Sequence, residues 1–112
     1  MKTGKLTVLL VLVLSLLGCG KPVPAEKSAY VGAWQGNSMD LAITQDGSVR
    51  YKRINGSATT KVEGPLKGFV GDNFEVGVGP MSTTFVVSKP PHEEGGSWKM
   101  VVDGTELTRS TQ

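Results

Sequence analysis

His92 is the chain's only histidine and stands in the run Pro91-His92-Glu93-Glu94. A histidine beside two carboxylates could ligate a metal or move a proton. A zinc site, however, needs three or four ligands, usually at helical or knuckle spacing. There is no second histidine, and the single cysteine lies far away at position 19. A nucleophilic triad would need an activated Ser or Cys against this histidine, and no nucleophile-elbow pattern occurs. His92 therefore reads as part of a solvated loop. Asp46, Asp72 and Asp103 each adjoin a glycine, where Asp is favoured because its side chain bonds to the backbone of a turn. A glycosidase-type pair needs two carboxylates facing one cleft, and the strand registers derived below leave the inner face of the first three strands without any. Gly77-Val78-Gly79 would need a following helix N-terminus to cradle a phosphate, but Pro80-Met81 and a strand follow. The sequence thus offers no catalytic residue, no metal site and no cofactor motif.

The cysteine has a different setting. Lys2 and Lys5 precede an apolar run of 12 residues, Leu6 to Leu17, broken only by Thr7 and Ser15. Crossing a bilayer takes about 20 apolar residues, so the run fits the core of a secretory signal instead. It ends in Leu16-Leu17-Gly18-Cys19, which resembles the lipobox of bacterial lipoproteins. That resemblance implies a diacylglyceryl group on the Cys19 thiol, cleavage between Gly18 and Cys19, and acylation of the new amino terminus. Gly20 replaces the Asp that resembles an inner-membrane retention signal, so the implied location is the outer membrane, facing the periplasm. One acyl chain binds a membrane only marginally, at ~0.8 kcal/mol per buried CH₂; three would hold the protein firmly. No cysteine remains after position 19, so the mature chain makes no intrachain disulfide even in an oxidising compartment.

At 112 residues the chain has room for one folded domain. Loss of residues 1–18 removes Lys2 and Lys5 and no acid, which takes the net charge from +2 to zero. Electrostatic attraction to nucleic acid then has no global support. Residues 1–18 are read as the signal, 19–29 as the lipidated cysteine and a tether, and 30–112 as the domain. Pro22 and Pro24 favour an extended chain in Lys21–Lys27, which would lift the domain roughly 20 Å off the membrane.

From Tyr30 onward no stretch has helical apolar period. Short runs rich in Val, Thr, Ile and aromatics alternate with Gly, Asn and Asp, the pattern of an all-β domain. Residues opposite each other in an antiparallel pair share a face, which tests the turns. A loop of Gln45-Asp46-Gly47 pairs Ile43 with Val49 and Leu41 with Tyr51, with Gly47 at the left-handed position of a bulged turn. Asn55-Gly56 as a two-residue turn pairs Tyr51 with Thr60 and Val49 with Val62. Asp103-Gly104 pairs Met100 with Leu107 and Val102 with Thr105, and places Trp98 on the inner face. A turn at Gly71-Asp72-Asn73 sets Leu66 opposite Val78 and leaves Phe69 facing out unless a bulge falls near Gly68. Ser82 to Ser88 forms a further strand, and Lys89 to Gly96 the longest loop. The expected fold is a small antiparallel up-and-down meander of about eight strands, a closed barrel or a flattened sandwich. Gly32-Ala33-Trp34 before the first hairpin resembles the Gly-x-Trp that opens lipocalin-like barrels, whose Trp plugs one end.

On the outer face the same register sets Arg50 across from Lys61 and Asp40 across from Lys52. Arg50, Lys52 and Lys61 then form a candidate patch for lipopolysaccharide phosphates or an acidic partner. Trp34, Tyr51, Arg53 and Trp98 fall inside, where they would line a mouth or touch a ligand. The expectation is a lipid-anchored, non-enzymatic envelope module that binds another envelope protein. The alternative is a carrier of a small apolar ligand, which would need an internal pocket of a few hundred Å³.

Overall fold

The computed structural model describes residues 20–110; the signal, its cleavage point at Gly18 and the lipidation residue Cys19 lie outside the described residues. A short 3-10 helix, Ala25–Tyr30, precedes nine strands: β1 Gly32–Gln35, β2 Met39–Ile43, β3 Ser48–Asn55, β4 Ala58–Val70, β5 Asn73–Val78, β6 Met81–Phe85, β7 Val87–Glu94, β8 Ser97–Val102 and β9 Thr105–Arg109. All pairings are antiparallel, and the sheet order is β6-β5-β4-β3-β2-β1-β9-β8-β7. This is the expected all-β meander, curled into a half-barrel.

The two outermost strands of the sheet, β6 and β7, are consecutive in the chain and separated only by Val86. One run of chain therefore pairs with β5 through its first part and with β8 through its second, so the sheet curls back on itself. Side chains tie this seam. Val86 N donates to Asp103 Oδ1 at 2.9 Å, Asp103 N donates to Val86 O at 2.7 Å, and Val87 N donates to Asn73 Oδ1 at 2.8 Å. These bonds supply partners to backbone groups where a ladder is interrupted.

Alternation sorts the inside from the outside. Met39, Leu41, Ile43, Val49, Tyr51, Leu66, Phe74, Val76, Phe85, Val87, Met100, Val102 and Leu107 are all buried. Aromatic rings run in contact through the interior: Tyr51 to Phe85 at 4.8 Å between centroids, Phe85 to Phe74 at 5.0 Å, and Phe69 to Tyr30 at 4.9 Å. Such pairs add about 0.5–1.5 kcal/mol each beyond the area they bury.

The β2–β3 register is the expected one, with Ile43 opposite Val49 and Leu41 opposite Tyr51, and so is Met100 opposite Leu107. Three local expectations are corrected. The β3–β4 turn is Gly56-Ser57, because Asn55 pairs with Ala58; Tyr51 then faces Val62 instead of Thr60. The shift leaves each residue on its expected face, so the apolar pattern could not detect it. Leu66 pairs with Val76 instead of Val78, while the bulge anticipated near Gly68 is present, between Leu66 and Gly68, and turns Phe69 towards the core. The run Lys89–Glu94 is a strand, with Glu94 paired to Ser97 around a Gly95-Gly96 turn. Its prolines are tolerated because β7 is an edge strand with register breaks, and proline is confined to such positions.

The expected tether is also corrected over its described part. Val23 is 3% exposed, and its N–H donates to Gln45 O at 3.0 Å while Gln45 Nε2 donates to Val23 O at 2.9 Å. Lys21 N donates to Leu66 O at 3.1 Å. The 3-10 helix then crosses the end of the half-barrel, where Tyr30 Oη donates to Asp72 O at 2.8 Å and Lys27 Nζ to Gly71 O at 2.8 Å. Packing thus starts at residue 20, ten residues before the expected boundary at Tyr30. Two prolines flanking one valine read as a linker, yet the valine belongs to the core.

Candidate functional site

On the outer face of β1–β4 two rows of residues cross the sheet. One runs Ala33, Ala42, Arg50, Glu63; the other runs Gln35, Asp40, Lys52, Lys61. Alanines in the first row leave a low floor, and the long charged side chains of the neighbouring strands stand around it. The result is a groove of about 330 Å³ bordered by these eight residues and by Trp34, Leu41 and Tyr51, whose side chains belong to the interior.

The sequence-derived patch is therefore assembled, with different partners. Arg50 lies across from Glu63, not Lys61, with Nε and Oε2 3.6 Å apart. Lys52 lies between Asp40 on one side and Lys61 on the other. Both members of the Arg50–Glu63 pair are solvent-exposed, and exposed pairs contribute only about 0–1 kcal/mol. Their value is in position: Glu63 draws Arg50 aside, while the directly opposed cations Lys52 and Lys61 destabilise each other slightly. A bound carboxylate or phosphate would relieve that repulsion. A second, polar depression of about 510 Å³ adjoins the groove through Gln35 and is lined by Asn37, Ser38, Thr105, Glu106 and Thr108 among others.

The inner candidates separate. Trp34 is fully buried, and its Nε1 donates to Tyr30 O at 2.9 Å. Tyr51 is buried against Phe85. Both are thereby committed to the core. Trp98 is half-buried at the edge of the core. Arg53, half-buried opposite Met39 and Thr60, is at the end of the half-barrel near the β3–β4 turn. The structure does not bring Arg53 together with Trp34 and Trp98.

Sequence reasoning missed the residue that does join the tryptophans. The guanidinium of Arg109, on the last strand, lies 5.5 Å from the Trp34 ring centroid and 4.9 Å from that of Trp98, and its Nη1 donates to Ala29 O at 3.1 Å. A Cβ on Gly32 would stand 2.8 Å from Arg109 Cδ. Gly32-Ala33-Trp34 is thus a packing device: the glycine makes way for the arginine that covers the tryptophan. Gly77 has a similar reason, since a Cβ there would overlap the backbone of Met81 and Ser82 on β6.

His92 sits on β7 beside a register break, not in a loop. Its Nδ1 lies 2.9 Å from Pro90 O and its Nε2 3.0 Å from Glu94 Oε1. The Pro90 carbonyl, followed by Glu94, holds the imidazole above its usual range, and His92 holds the Glu94 carboxyl below its own. Glu93 pairs with Trp98 and does not join them. Among the described residues no group of three or more His, Cys, Asp or Glu is placed to hold a metal ion.

Comparison with protein-family models, curated proteins and solved structures finds no match for this chain.

Proposed function

We propose that the protein is a lipid-anchored lipoprotein of the bacterial outer membrane, facing the periplasm, that works by binding another envelope protein and not by catalysis. The anchor reading rests on Leu16-Leu17-Gly18-Cys19 behind a basic and apolar leader. The binding reading rests on one structural contrast. The interior is filled by the chain's own Trp34, Phe74 and Phe85, while the concave, charge-lined surface lies outside, on β1–β4. A carrier of an apolar ligand would have the opposite arrangement, an apolar hollow inside a polar shell. The occupant that suits the groove is a protein segment with a small apolar side chain for the alanine floor and an acidic group for Lys52 and Lys61.

A photo-crosslinking residue at Ala42 in the native host tests this. The expected result is one discrete protein adduct, lost when Lys52 and Lys61 are both replaced by Glu. Absence of an adduct from Ala42, Ala33 and Gln35 alike would overturn the binding reading. Mass spectrometry of the amino terminus tests the anchor separately, with an acylated Cys19 expected.

A further inference from the structure

The first described residues do not lead up to the half-barrel; they are wedged into it. Gly20 lies against Gly47 and Leu66 so closely that a Cβ on it would overlap the Gly47 carbonyl oxygen and the Leu66 backbone. A Cβ on Gly47, where φ is 90°, would overlap the Lys21 carbonyl. Two glycines thus let two backbones touch. The Leu66 N–H donates to Gly47 O at 2.8 Å and Lys21 N donates to Leu66 O at 3.1 Å, so the leading segment, the β2–β3 turn and β4 form one bonded unit. Val23 then locks the segment as described above.

Resting on the lipoprotein reading, we propose that the acylated terminus staples the half-barrel to the membrane in one orientation, with the β2–β3 turn against the phospholipid headgroups. Cys19 is one Cα–Cα step, about 3.8 Å, from Gly20. No free chain therefore separates the acyl chains from the body of the domain, and the end carrying Gln45-Asp46-Gly47, with the β4–β5 turn to which β4 runs on beyond Leu66, meets the bilayer surface. The occupant of that surface is the headgroup layer, because the anchor places it there. Charge does not select it: exposed Lys21 and the Lys27 ammonium are offset by Glu26, Asp46 and Asp72 in the same region. Strand β3 runs away from this end for eight residues, which at about 3.3 Å per residue carries the Gly56-Ser57 turn roughly 25 Å along the strand direction. Lys52 and Lys61 lie along that rise, so the groove faces the aqueous space and a soluble partner can reach it.

The full-length protein, matured in a host that acylates it, tests the orientation. Acylation blocks Cys19, so single cysteines at Asp46→Cys, Pro22→Cys or Ser57→Cys each take a nitroxide at one site. In vesicles of phosphatidylethanolamine and phosphatidylglycerol doped with a nickel chelate on the headgroup, the labels at positions 46 and 22 should relax several-fold faster than the label at 57. A flexible Gly/Ser insert of about six residues between Cys19 and Gly20 should abolish that contrast. An acylated protein showing equal relaxation at all three sites, or a contrast indifferent to the insert, would overturn the staple. A protein without acyl mass would overturn the lipoprotein reading beneath it.

Discussion

Arg109 on the last strand covers Trp34 on the first, with its guanidinium 5.5 Å from the indole centroid, and Gly32 leaves the space for it. β1 and β9 share only two register pairs, Trp34 with Arg109 and Gln35 with Thr108. A junction this short has few ladder bonds, so the cation–π contact and the bond to Ala29 O reinforce it where it is weakest. Arg109→Ala should lower unfolding free energy by about 1–3 kcal/mol and shift tryptophan emission. Arg109→Lys should recover less than half, because an ammonium lacks the planar face that stacks. Gly32→Val should displace the arginine, and combined with Arg109→Ala it should cost less than the two separate losses added. Urea titrations of the four proteins decide this, and additive losses would refute the shared origin.

Asp103 holds the seam between β6 and β7. It is the only described non-glycine residue with positive φ, at 48°, and its carboxylate accepts the Val86 N–H. Two demands meet at one position: a left-handed backbone and an acceptor. Asn satisfies both, Gly only the first, and Ala neither. Stability should therefore fall in the order Asp103→Asn, Asp103→Gly, Asp103→Ala, with the last losing about 1–3 kcal/mol. Amide exchange should show the extra opening at Val86 and Val87 first. If Asp103→Ala matches Asp103→Asn, the carboxylate does not hold the seam.

These two residues also mark what a sequence reveals. Parity of apolar residues exposes any strand that is half-buried, which is why β2, β3, β8 and β9 and two of their turns were legible. Parity is blind to a slip of two, so Arg50 was matched to Lys61 when its neighbour is Glu63. Turn chemistry does not separate those registers either, since Asn55-Gly56 suits a type I′ turn and Gly56-Ser57 a type II′ turn; Gly56, with φ 65°, takes the first central position of the second. Asp103-Gly104 reads as a hairpin turn, and nothing local shows that its carboxylate reaches Val86, 17 positions away in sequence. The docking of residues 20–23 leaves almost no trace, because it depends on backbone contact at Gly20 and Gly47 and on one valine. Arg109 carries no local signal of its role, because a cation–π partner is chosen by tertiary approach, not by spacing along the chain.

Tyr30 supplies an alkaline limit. Burial, with a smaller effect from Asp72, pushes its phenol up from 10.0 to about 12. A raised folded value means that the neutral phenol is favoured in the native state. The stabilisation is complete below pH 10 and is lost as pH rises from about 10 towards 12. Tyr30→Phe should remove that part of the alkaline decline and cost about 1 kcal/mol at neutral pH through the lost bond to Asp72 O. Thermal melts between pH 8 and 11 would show the two curves converging as pH rises; parallel curves would mean that Tyr30 does not set the limit.

His92 and Glu94 act in the opposite part of the pH scale. The imidazole is held above its ordinary 6.5, by the Pro90 carbonyl first and Glu94 second, and the Glu94 carboxyl is held below its ordinary 4.5, by His92 first. The raised base contributes fully below 6.5 and loses its contribution as pH climbs through the folded value. The lowered acid contributes fully above 4.5 and loses its contribution as pH falls through its own folded value. Their joint contribution is therefore complete between pH 4.5 and 6.5 and declines on both sides. Both groups are open to solvent, so the effect on global stability is slight and salt-sensitive, and the measurement has to be local. A proton NMR titration of the His92 ring should give a midpoint above 6.5, which falls when Glu94 is replaced by Gln yet stays above the ordinary histidine value because the Pro90 carbonyl remains. A midpoint unchanged by Glu94→Gln would show that the 3.0 Å approach of Nε2 and Oε1 is not a hydrogen bond in solution.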